Sequence, residues 1–113
     1  MVVRGEDALD TTAPRLAGTG TASDPFVVAS LPFAAHGDTR TMGEARVDRW
    51  DGCSTANESG RELRFRFHLD APARITAAVS SGAGADLDVH LVPAGSMGAA
   101  CVARDNRQVD VDL

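Results

Sequence analysis

Asp86, Asp88 and His90 stand at alternate positions in the stretch GADLDVHLV, Gly84 to Val92. Two carboxylates and an imidazole in that pattern are the makings of a metal or acid–base site. Alternate residues of a strand share a face, so the three could converge on one ligand. Their side chains would stand roughly 7 Å apart, so one ion could touch Asp86 and Asp88 only with help from a loop. Calcium takes oxygen ligands, which makes Asp86 and Asp88 the candidate calcium residues and leaves His90 aside. The competing reading makes the three the wet half of an amphipathic strand, opposite Leu87, Val89 and Leu91. The pattern favours that second reading, with Asp86 and Asp88 capping the GAGA turn and holding a solvated face.

No other constellation competes. His36, His68 and His90 are scattered, and the chain contains no HExxH, no GxSxG and no spaced Cys/His cluster. Its serines sit in turn-like ESG, SSG and GSM contexts with no evident base. GTGTAS is glycine-rich, but no helix follows it to receive a phosphate. The expectation is a protein that is not an enzyme, with no catalytic residue. Cys53 and Cys101 are the only cysteines. They are either two free thiols in a reducing compartment or a bonded pair in an oxidising one. Both lie in turn-rich segments that flank the strands, and this placement favours the bond.

The elements that would carry these residues read as strands. In RELRFRFHLD, Leu63, Phe65, Phe67 and Leu69 fall on one face, and Arg64, Arg66 and His68 on the other. ARITAAVSS alternates with Ile75, Ala77 and Val79 inward and Arg74, Thr76 and Ala78 outward. DLDVHLV and QVDVDL alternate in the same way, the latter with Val109, Val111 and Leu113 inward. Phe26 to Ser30 is a further short strand, and RVDRWDGC a strand stub in which Val47 and Trp50 are the bulky apolar residues. Turn clusters separate these runs. No segment shows a helical stripe, so the expected fold is all-β, an antiparallel β-sandwich. Residues 1–23 have no clear period and read as a flexible leader or linker, which leaves 24–113 as the domain. A strand-like segment at the very end also suggests a fragment of something longer.

Bulk properties narrow the class. At 113 residues, 43% hydrophobic and 24% charged, the chain is an ordinary single globular domain. Aromatics make up only 4%, so a core must lean on Val, Leu, Ala and a few Phe. A net charge of -5 argues against nucleic acid, whose phosphates need a basic surface. No apolar run approaches the ~18–20 residues of a membrane span, and MVVRGEDALD lacks a hydrophobic signal core.

The stretch NESGRELRFRFHLDAPARITAAVSSGAGADLDVHLV, followed by CVARDN, resembles the bacterial pre-peptidase C-terminal domain and its relatives. The likeness runs from Asp24 to Leu113 and rests on the order of turn, strand pair, DxD strand and cysteine pair. It implies a jelly-roll β-sandwich that accompanies a secreted peptidase or cell-wall amidase without catalysing anything itself. Such a module would aid secretion, positioning or stability, and would sit outside the cell or in its envelope. The partners implied are a neighbouring hydrolase domain or an extracellular polymer. The alternative is a stand-alone calcium-dependent polymer-binding or adhesion domain, with calcium on Asp86 and Asp88. Arg61 replaces a proline common in the family, and His90 an aromatic residue. The family pattern runs on past DVDL into two further strands, from which a marginally stable or self-associating chain is expected.

Overall fold

The computed structural model describes residues 2–4, 16–54, 57, 59–80 and 86–113. Seven strands appear among them: β1 (Val2–Arg4), β2 (Phe26–Val27), β3 (Glu62–Arg66), β4 (Arg74–Ala78), β5 (Asp88–Leu91), β6 (Ala103–Asp105) and β7 (Gln108–Asp112). A single 3-10 turn, Gly98–Ala100, is the only helical element described, so the chain is all-β. One sheet has the order β2-β3-β1-β5-β6, and β4 and β7 form a separate two-stranded ribbon. All pairings are antiparallel except β2 with β3, which is parallel and corrects the wholly antiparallel expectation. The pair spans two residues, Phe26 beside Phe65 and Val27 beside Arg66, too short a run for a sequence pattern to reveal its direction.

The segment expected to be a leader contributes the middle of the larger sheet. Val2–Arg4 pairs with β3 on one side and β5 on the other. Its two valines are strong strand formers, but three residues are too few to show a period. Leu16 packs against Val28, Leu63 and Phe65, and the amides of Thr19 and Gly20 bond the Asp24 carbonyl.

Register decides which side chains share a face. Leu63, Val3 and Val89 lie opposite one another, as do Glu62, Arg4 and Asp88. The apolar set faces the ribbon, where Val89 and Leu91 pack against Ala77 and Val109. Along the same face Leu63 and Phe65 join Val28, with Phe26 and Phe33 tilted against the Phe65 ring at 5.3 and 5.8 Å. The ribbon itself follows its alternation: Ala77 and Val109 are buried, whereas Arg74, Thr76, Ala78, Asp110 and Asp112 are exposed. Leu113, expected to point inward, is 40% exposed.

The other face of the sheet does not meet solvent. Residues 45–54 and the turn at Gly98–Ala100 cover it, and Cys53 and Cys101 are bonded to each other across that cover. The backbone makes this close fit possible at Gly98, where an added Cβ would press on the Arg49 carbonyl. Val47 and Trp50 pack with Cys101 in a third apolar cluster.

Candidate functional site

The covered face holds the charged residues. Glu62, Arg64, Asp88 and His90 are all buried, Glu62 and His90 at 0% exposure. This corrects the expectation that Asp88, His90 and Arg64 belong to solvated strand faces. The alternation is real, but polar alternation equals exposure only when nothing packs on that side. Here a loop does, and each charge has a partner beneath it. Asp86 and Arg66 are exposed as expected, as is His68, 3.4 Å from Asp70.

Glu62 is the hub. One carboxylate oxygen accepts the Val47 amide at 2.6 Å and the Arg46 amide at 3.3 Å. The other accepts Nε and Nη2 of Arg64, at 3.2 and 3.0 Å. Both carboxylate oxygens of a fully buried group are therefore occupied, as a buried charge requires. Backbone bonds between Glu44 and Glu62 hold the covering segment beside β3. Arg61 extends the clamp, donating to the carbonyls of Met42 and Gly43 at 3.2 and 2.9 Å. Gly43 has φ +75° and passes so near the Glu62 carbonyl that a Cβ has no room.

Trp50 closes the face. Its ring lies 4.1 Å from that of His90 with 23° between the planes, and the Arg64 guanidinium stands 5.9 Å from the indole. Such stacked and cation–π contacts are favourable, and more so when desolvated. The Trp50 carbonyl accepts the amides of Cys53 and Ser54, which turns the chain toward the disulfide. The indole Nε1 is buried with no hydrogen-bond partner among the described residues.

Asp88 and Asp86 part company. Asp88 Oδ1 accepts Arg104 Nη2 at 3.0 Å, whereas Asp86 lies exposed before β5 begins. A cation at Asp88 would face a guanidinium already in place, which fits calcium poorly. The GAGA turn that these aspartates were expected to cap lies outside the described residues. Among the described residues no group of three or more His, Cys, Asp or Glu is placed to hold a metal ion.

The arrangement is suited to holding a loop and two strands in one geometry. Its carboxylates are spent on guanidinium and backbone donors. Sequence reasoning missed this cluster, and the signal for it lay in Trp50, the only tryptophan, set between Val47 and Cys53. The nearest opening is a cavity of about 230 Å³ beside Arg64, Arg66 and the Pro93–Ser96 turn. A larger one of about 570 Å³ lies on the opposite side of the sheet, between residues 31–37 and β4. No helix among the described residues is long and apolar enough to cross a membrane. Comparison with family models, with curated proteins and with solved structures finds no match.

Proposed function

We propose that the chain is a non-catalytic accessory module of the pre-peptidase C-terminal kind. On this reading it is a jelly-roll β-sandwich exported beside a peptidase or cell-wall amidase, which it helps to secrete, position or stabilise. The observation that carries the proposal is the Cys53–Cys101 bond, which latches the Trp50 loop over the charged face of the sheet. A covalent staple of this kind belongs to oxidising compartments and to domains with lean cores. The contact of Ala77 and Val109 with Val89 and Leu91 supplies the face-to-face packing from which a sandwich is built. The use of Glu62, Arg64 and Asp88 in buried pairs supports a structural role for residues that could otherwise do chemistry. The Asp88–Arg104 pair counts against the calcium-dependent alternative.

The test is a fusion. Placed behind an exported peptidase or cell-wall amidase, the chain should raise the yield of active secreted enzyme. Replacing both cysteines by serine should remove the gain, and the isolated chain should turn over neither peptide nor peptidoglycan. Turnover by the isolated chain, or a yield unchanged by its presence, would overturn the proposal.

A further inference from the structure

The ribbon has an open edge. Ala73 and Leu113 exchange both backbone hydrogen bonds, and the Val79 amide bonds the Arg107 carbonyl. With the register between them, Ile75 and Ala77 bond Val111 and Val109 in the same manner. The backbone N–H and C=O groups of Arg74, Thr76 and Ala78 therefore point away from β7. Among the described residues no strand pairs with them. An edge of this kind is a template for another strand unless something blunts it. β4 carries no proline, no bulge and no inward charge over its length.

We propose that β4 pairs with β4 of a second copy of this chain, antiparallel about a twofold axis at Thr76. Two observations single out this partner. The first is charge. In that register Thr76 faces Thr76 and Arg74 faces Ala78 of the other copy, so no like charges meet. The outer edge of β7 is the opposite case: pairing it with itself about Asp110 would set carboxylate against carboxylate, which is destabilising. The second is the groove of about 570 Å³ that runs beside β4, where Leu63, Phe65 and Leu87 line the wall. A strand added to β4 would lay its inward residues, Ile75 and Ala77 of the second copy, over that apolar wall.

Sedimentation of the full oxidised chain across a concentration series tests this, with Ala78→Arg and Ala78→Glu as variants. Ala78 is exposed, so either substitution leaves the core alone. Ala78→Glu should face Arg74 of the second copy twice per dimer and tighten it about fivefold; Ala78→Arg should loosen it about fivefold. The directions are opposed to the effect of overall charge. On a chain of net charge -5 an added arginine relieves repulsion between copies and an added glutamate increases it. A dimer shifted in the stated directions supports the proposal. A chain that stays monomeric at every concentration, as one whose edge serves a foreign strand would, overturns it. So does an assembly that ignores both variants or follows overall charge.

Discussion

The Trp50 indole stacks on the His90 imidazole with 4.1 Å between ring centroids, and both residues are fully buried. His90 comes from the middle of β5 and Trp50 from the loop that covers it. Their contact joins a strand that alternates as though half-exposed to the segment that encloses it. The disulfide, the Glu62 hub and the Asp88–Arg104 pair all serve that enclosure, and each makes a separate prediction.

The disulfide closes a loop across a sequence separation of 48 residues. Chain entropy assigns such a closure about 4 kcal/mol, roughly a 20 °C change in Tm for a domain of this size. Thermal melts with and without reductant should differ by that order. Equal melts, or alkylation of both thiols in folded unreduced protein, would contradict the bond's role.

Glu62 and Arg64 are a buried pair whose single removal strands the survivor. Glu62→Gln or Arg64→Met should each cost about 3–5 kcal/mol in denaturant unfolding. Replacing both should cost less than the sum, because neither charge is left alone. The Arg46 and Val47 amides would still lose their acceptor, so the double variant should remain about 1–3 kcal/mol below the parent. Additive losses would show that the pair is not coupled.

Acid should weaken the turns and the ribbon. The Thr76 hydroxyl and the Gln108 amide hold the Asp110 carboxyl below its ordinary range. The Arg107 and Gln108 amides do the same to Asp105, and the Arg40 side chain and amide to Asp38. Each pKa is lower folded than unfolded, so each group stabilises the fold above the ordinary carboxylate range. That contribution is lost as pH falls through the depressed values, below about pH 4. Stability measured in urea should fall with pH in that window, less steeply in Asp110→Asn. A rise in stability on acidification there would contradict the assignment.

Calcium should leave the protein unmoved. Melts in millimolar calcium should match those in chelator, since binding at a hundredfold excess over Kd would add about 2.7 kcal/mol. Asp88→Asn should destabilise with or without calcium, because it weakens the tie to Arg104. A large calcium-dependent rise in Tm that Asp88→Asn abolishes would restore the metal reading.

The ribbon was legible in the sequence because it is half-exposed. Ile75, Ala77 and Val79 alternate with Arg74, Thr76 and Ala78 as the structure places them, and period two reports burial when one face is wet. The cysteine pairing was legible from its flanking position. The covered face was not, because its cover lies far along the chain: Trp50 meets His90 across 40 positions, and no local pattern encodes that contact. β1 and β2 were missed for another reason, their brevity. Short strands take their direction from pairing partners rather than from their own pattern.

The central claim is that the charged face of the sheet is interior, sealed by Trp50 under the Cys53–Cys101 latch. Trp50 is the only tryptophan, so its fluorescence reads that face alone. In the folded, oxidised chain its emission should be blue-shifted and resistant to acrylamide. Cleaving the disulfide should shift it to the red and open it to the quencher. Emission like that of tryptophan in water, with free quenching in folded oxidised protein, would contradict the account.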